Sequence, residues 1–330
     1  MSLHFWFAVA LVISLCTIFP NDSPQTSKPE TARLEIYSLE TLTLTDEQFL
    51  KGSKDGKPVR IGAELRLPPG NGHVPAVVLI HGSGGVGANV DGWAKELNSI
   101  GVAAFILDSF TGRGITQTIT DQSQLSSFSM IVDGYKALEL LSKHPRVDPS
   151  RIAVMGFSKG GFAALYSSMR RFQRLWALPG LEFAAYLPFY ARCDTVFLED
   201  ENISDHPVRL FHGSADDYVP VGPARAYVDR LKTRGKDVQL TVYEGARHSF
   251  DNPMNPPMLR YPDAVVVNDC RREEKQSGNI VNLDTGKTFS WHDSCVKSGA
   301  TVGYDARARE EAVKAVKDFL LTQWKLSPQG

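Results

Sequence analysis

Cysteine is scarce, with four in 330 residues, and none sits in a Cys-x-x-Cys pair or at zinc-ligand spacing. Those absences exclude a structural zinc site and a thioredoxin-like redox centre. Charge of one sign is also missing: 36 Lys and Arg against 37 Asp and Glu leave a net −1. That balance gives no footprint for a nucleic-acid partner. No segment repeats internally, and nothing is low in complexity beyond a short linker near the N-terminus. No apolar run reaches the roughly 20 residues of a comfortable membrane span.

The longest apolar run, Phe5 to Phe19, has the length of a signal-peptide core. No Lys or Arg precedes it, and no small-x-small cleavage site follows before Asn21. Residues 1–20 are therefore expected to be a signal peptide or an N-terminal membrane anchor. Residues 21–33 read as a linker, and 34–330 as one domain. The protein is expected to be exported, periplasmic or secreted, with a membrane tether as the alternative to cleavage. Cysteine usage agrees. With Cys16 set aside, Cys270 and Cys295 bracket a polar, Gly-containing segment that needs a staple to be ordered, so they are expected to form a disulfide. Cys193 is left as a buried thiol.

The chain alternates strands and helices. Leu34–Tyr37 and Val59–Leu67 have the alternation of half-exposed strands, an antiparallel start joined by Gly-rich turns. Ala76–Ile80, Val102–Leu107, Arg151–Met155, Phe183–Tyr190, Val208–Phe211 and Val238–Tyr243 are apolar runs of later strands. Helices are expected over Trp93–Ile100, Ser129–Ser142, from Phe162, over Val221–Arg234 and over Ala306–Trp324. This order predicts an α/β fold with a mostly parallel central sheet and helices on both faces. Between His248 and the last helix lies an insertion at about residues 251–302. It is far longer than an ordinary connection, and such segments are usually functional or disordered.

Gly156-Phe157-Ser158-Lys159-Gly160-Gly161 joins a buried strand to a helix. This is the Gly-x-Ser-x-Gly turn that holds a serine at the tip of a sheet. A serine hydroxyl is a poor nucleophile at neutral pH, so it needs a base, and the base needs an orienting carboxylate. Asp216 and Asp217 follow one apolar strand, and His248 follows the next, the chain order this architecture uses. Of eight histidines, only His248 has that order and location; His81 and His212 each end a strand before glycine, where packing is the commoner role. Asp216 is favoured as the acid, with Asp217 a surface or capping residue. The backbone N–H groups of Lys159 and of Ser83, in His81-Gly82-Ser83-Gly84-Gly85, are the expected oxyanion donors. The Lys159 side chain is expected in solvent. No metal and no cofactor is called for.

A dinucleotide site competes for one stretch. Gly82-Ser83-Gly84-Gly85-Val86-Gly87 matches Gly-x-Gly-x-x-Gly after a strand, and Asp108 ends the next strand. Against it, residues 88–92 are expected to separate the loop from its helix, and the reading leaves Ser158, Asp216 and His248 unused. Asp108 is instead expected to order the loop that follows it.

With these residues assembled, the chain resembles the dienelactone hydrolase family of α/β-hydrolases. The resemblance runs from about Val59 to the terminal helix, through Asp108-Ser109-Phe110 with Arg113, the Ser158 elbow, the Asp216 loop and His248-Ser249-Phe250. It implies a hydrolase of carboxylic esters acting on a small-molecule ester, as a monomer or homodimer, with Ser158 where the name-giving enzymes have cysteine. Those enzymes have a glutamate where this chain has Gly82, and a carboxylate-binding arginine where it has Asp251-Asn252. Ester hydrolysis carries over; the ligand does not. Arg113, Met258 and Tyr261 are expected to bind substrate, the last two from an apolar surface on the insertion, which would wall or partly cover the site. A peptidase of the prolyl-oligopeptidase type and a non-catalytic binding protein on the same fold are the alternatives.

Overall fold

The computed structural model describes residues 32–276 and 278–326. The expected leader, and all but the last two residues of the expected linker, lie outside the described residues. In chain order the elements are β1 (Arg33–Thr43), α1 (Asp46–Lys51), β2 (Lys57–Leu67), β3 (Val74–Ile80), α2 (Ala88–Asn98), β4 (Ala103–Asp108), α3 (Ser127–Leu141), β5 (Val147–Phe157), α4 (Lys159–Tyr166), α5 (Arg170–Trp176), β6 (Ala185–Phe189), β7 (Thr195–Val196), β8 (Val208–Gly213), α6 (Val221–Thr233) and β9 (Val238–Tyr243). The insertion then adds β10 (Leu259–Val266), β11 (Arg272–Gln276), β12 (Asn279–Asn282), β13 (Lys287–Thr288) and β14 (Lys297–Val302) before α7 (Ala306–Trp324).

The main sheet has eight strands in the order β1-β2-β4-β3-β5-β6-β8-β9. β1 and β2 pair antiparallel, as does β2 with β4, and all later neighbours are parallel. This is an α/β-hydrolase fold. Side chains alternate across a strand, and along β3 the alternation separates two cores. Val77 and Leu79 join the face covered by α2 and α7. Val78 and Ile80 join the face covered by α1, α3, α4, α5 and α6. An apolar run without polar relief is what burial on both faces demands.

Two sequence expectations need correction here. The segment between β1 and β2 holds α1, opened by a Thr45–Gln48 capping box, rather than Gly-rich turns alone. α2 begins at Ala88, directly after Gly87, so no spacer separates the glycine loop from its helix. Gly87 supplies no side-chain cap, and Asn89, Asp91 and Gly92 are weak helix formers. The helical start was therefore hidden, and that ground for rejecting a dinucleotide site falls.

The insertion is built of strands. β10 and β14 pair antiparallel, while β11, β12, β13 and β7 form a second small sheet. Cys270 and Cys295 are disulfide-bonded, and Cys193 is a free thiol whose burial pushes its pKa up. The Arg171 guanidinium on α5 grips the buried Glu274 carboxylate of β11 at 2.7 and 2.8 Å. Among the described residues no helix is long and apolar enough to cross a membrane.

Candidate active site

Ser158 stands between β5 and α4 with φ 55° and ψ −111°, a conformation that costs a non-glycine residue energy and persists only where its surroundings enforce it. They do so by close backbone approach. A Cβ on Gly160 would run into the Ile80 carbonyl, and one on Gly156 into the Gly160 carbonyl. The Ser158 N–H donates to the Phe189 carbonyl at 3.0 Å, tying the turn to β6. Ser158 is also the N-cap of α4, where dipole and free N–H groups favour negative charge.

The loops after β8 and β9 bring Asp216 and His248 to this turn. His248 Nε2 lies 2.9 Å from Ser158 Oγ, and its Nδ1 lies 2.8 Å from Asp216 Oδ2. The other Asp216 oxygen accepts from the N–H groups of Tyr218 and Val219 at 3.0 and 2.8 Å. Burial works to raise the Asp216 pKa, but the attraction of His248 and hydrogen bonds from His212 and His248 outweigh it and hold the group at about 2. The imidazole is flanked by Tyr190 and Tyr218, with ring centroids at 4.6 and 4.8 Å. Tyr190 and Ser249, like Ser158, have positive φ, so backbone strain collects around the site.

Neighbouring residues hold these loops. His212, expected only to pack, donates from Nε2 to the Val219 carbonyl at 2.7 Å and lies 3.4 Å from Asp216. His81 accepts from the Ser109 N–H at Nε2 and donates from Nδ1 to the Gly82 carbonyl. Asp217 is exposed, as expected, and its carboxylate takes the Thr301 N–H at 2.8 Å, anchoring β14 to the acid loop. Asp108 accepts the N–H groups of Phe110 and Thr111 and orders its loop as expected. Asp251, where the family's arginine is missing, is fully buried and accepts from Trp93 Nε1 and the Tyr190 hydroxyl, both at 2.7 Å. Sequence reasoning missed this role because nothing in the local pattern marks a buried aspartate.

Two cavities open at Ser158. The smaller, about 160 Å³, is lined by Gly82, Ser83, His248 and Tyr261 among others. The larger, about 700 Å³, runs past Lys159, Phe162, Arg192 and Tyr218 to Arg272, Phe289 and Trp291 of the insertion. A Cβ on Gly82 would lie 3.4 Å from Ser158 Cβ, so the glycine loop passes beside the serine rather than around a free phosphate site.

Three site expectations are corrected. Arg113 does not face either cavity. Its guanidinium forms a buried pair with Asp133 at 2.7 and 2.9 Å and also donates to Thr43, Ser109 and Leu42, leaving nothing for a substrate. Met258 is 64% exposed and lines neither cavity; the later part of the insertion walls the large cavity instead. The Lys159 side chain is buried, not solvated: Nζ donates to Gln122, and burial, with repulsion from Arg192, pulls its pKa down to about 7.

Known proteins agree with this architecture. An acyl-protein thioesterase 1 of Emericella nidulans is 29% identical over 121 residues, 36% of this chain and 50% of that protein. The chain thus spans half the length of that relative. A dienelactone hydrolase-like promiscuous phosphotriesterase from metagenomic libraries superposes with a TM-score of 0.54 at 17% identity, over 88% of this chain and 98% of that one. Esterase 2 of Thermogutta terrifontis does so with 0.53 at 17%, over 82% and 91%. The family model for dienelactone hydrolases matches residues 61–323. The chain belongs to the dienelactone hydrolase family.

Proposed function

We propose that Ser158, His248 and Asp216 form the catalytic triad of a carboxylic ester hydrolase that works through an acyl-enzyme. The observation that carries this is the unbroken Ser158–His248–Asp216 chain at 2.9 and 2.8 Å. Ser158 Oγ attacks the acyl carbon as its proton passes to His248 Nε2. The alcohol leaves with that proton, and water, deprotonated by the same imidazole, then releases the acid. Asp216 holds Nδ1 and stabilises the imidazolium. The N–H groups of Lys159, first in α4, and of Ser83, in the loop beside Ser158, receive the oxyanion. A non-catalytic role would have no use for the strained turn at Ser158.

The substrate is a small ester whose bulkier part enters the large cavity, against Phe162, Phe289 and Trp291 and within reach of Arg192 and Arg272. Tyr261 borders the smaller cleft, on the side of His248. The disulfide is consistent with an exported protein, which favours residues 1–20 as an export signal or tether. The test is labelling by a fluorophosphonate probe alongside turnover of nitrophenyl esters. Wild type should label on Ser158. Ser158→Ala should neither label nor keep more than roughly a thousandth of the rate, since loss of the nucleophile costs several orders of magnitude. Retention of a tenth of the rate overturns the reading.

A further inference from the structure

Both residues assigned to the oxyanion hole send their side chains to the same third residue, Gln122, which sits in the short helical turn between β4 and α3. Gln122 Nε2 donates to Ser83 Oγ at 3.0 Å. Gln122 Oε1 accepts from Lys159 Nζ at 3.1 Å, and its carbonyl accepts from the same amine at 3.3 Å. Next to it, the Thr118 N–H donates to the Ser83 carbonyl at 2.8 Å. Ser83, Thr118, Gln122 and Lys159 are all buried, none more than 8% exposed. The amide thus bridges the loop that follows β3 and the first residue of α4.

Such a bridge has an evident use. An oxyanion hole works only if both N–H groups are aimed beforehand at the place where charge develops. The Gly82–Gly87 loop is rich in glycine and so has little side-chain packing of its own to hold it. Burying an amine is costly, and the neutral acceptors of Gln122 recover only part of that cost. The amine is nevertheless kept where it reaches the partner of Ser83.

We infer that Gln122 is a positioning residue that clamps Ser83 to Lys159 and so sets the spacing of the two oxyanion donors. This inference rests on the oxyanion assignment made above. Gln122 borders the large cavity, but its amide is taken up by Ser83 and Lys159, so it acts on the reaction through those two backbones. Its loss therefore weakens transition-state binding more than ground-state binding, which lowers kcat and leaves KM nearly unchanged.

The experiment compares wild type, Gln122→Leu, Gln122→Glu, Lys159→Met and the Gln122→Leu/Lys159→Met double variant. Thermal melting of each serves as the folding control, and turnover is read on nitrophenyl acetate. Gln122→Leu is expected to lose roughly tenfold to a hundredfold in kcat, somewhat less than removal of a donor outright, with KM within about twofold. Gln122→Glu should recover most of the loss, because its carboxylate can accept from both the Lys159 amine and the Ser83 hydroxyl. The double variant should be no worse than the poorer single one, as expected for residues that act as a unit. An unchanged kcat in a folded Gln122→Leu variant overturns the clamp. So does a loss that appears only in KM, or one that adds fully to that of Lys159→Met. Should Gln122→Leu not fold, Lys159→Met decides the matter alone: a lower kcat with KM within about twofold supports the clamp, and an unchanged kcat overturns it. Fluorophosphonate labelling of wild type keeps the two readings apart, since it tests the triad whether or not the clamp exists.

Discussion

The strand ends that carry Ser158, Asp216 and His248 and the insertion of residues 251–302 border the same space, yet they are held by different means. The strand ends are held by backbone on backbone. Gly160 lies on the Ile80 carbonyl, Gly213 on the Ala246 carbonyl, and Ser158 hangs from Phe189. None of these contacts can be released without parting the main sheet. The insertion, stapled within itself by the Cys270–Cys295 disulfide, is fastened to the rest at separate points: the Arg171–Glu274 pair, the Asp217–Thr301 hydrogen bond and a two-residue pairing of β7 with β11. A point fastening can be lost singly. The proposed triad thus sits on the part that cannot yield, and the wall of the large cavity on the part that can. The two should respond separately to mutation.

The sharpest break in that comparison comes from two adjacent aspartates. Asp216→Asn should lower kcat by on the order of 10³–10⁴, because an amide cannot stabilise the imidazolium and favours the wrong tautomer. Asp217→Asn disturbs only the tie to β14, since its side-chain carbonyl can still accept from Thr301. Its effect should stay within about tenfold and appear chiefly in KM. Steady-state kinetics on one nitrophenyl ester decide it, and a reversed order would move the acid to Asp217.

A smaller effect should follow from loosening the wall. Glu274 takes both Arg171 nitrogens and also the N–H groups of Leu198 and Gly278. Breaking a buried ion pair from one side typically costs about 3–5 kcal/mol, and Glu274→Gln should fall near the lower figure because it keeps the shape. Its kcat/KM should drop more for an aryl ester that fills the large cavity than for an acetate. Equal losses on both would mean that wall and chemistry are not separable.

The same division explains what could be read from the chain. The Ser158–His248–Asp216 contact was legible because a strained turn, an acid loop and a histidine loop must follow their strands in a set order, and each leaves a local mark. The two-sided core was legible because Ala76–Ile80, Ala103–Leu107, Ile152–Met155 and Ala185–Phe189 are apolar without interruption. The small sheet of the insertion was not. β11 reads Arg272-Glu273-Glu274-Lys275-Gln276, and only tertiary partners, Arg171 above all, make such a segment a strand. Arg113 looked available because sequence cannot show that Asp133 on α3 faces it. Lys159 looked solvated because residues 118–125, which cover it, carry no apolar pattern to announce that they fold inward.

Lys159 gives the finest test, because it belongs to the unyielding part but its side chain does not follow that part's logic. Burial, with Arg192 repelling and Asp46 and Asp121 attracting, lowers its pKa from 10.5 to about 7 in the folded protein. A base whose folded pKa is depressed holds fewer protons than the unfolded chain between those two values, so its contribution to stability improves as pH rises from about 7 to 10.5. Below pH 7 the folded protein must carry the buried charge and bears the full cost. Lys159→Met removes the charge and should be more stable than wild type in acid, with the advantage shrinking as pH climbs. Each pH unit in that window is worth at most about 1.4 kcal/mol, so between pH 7 and 9 the gap should narrow by no more than roughly 2.5 kcal/mol. Arg192, Arg272 and Asp194 share the neighbourhood, but both proteins contain them, so the difference isolates the amine. Denaturant titrations of the two proteins at pH 6, 7.5 and 9 read it directly. A constant gap would mean that the amine is not protonated differently in the folded and unfolded chains. A narrowing gap, together with a lowered kcat in the same variant, would show a residue kept for catalysis at the expense of stability.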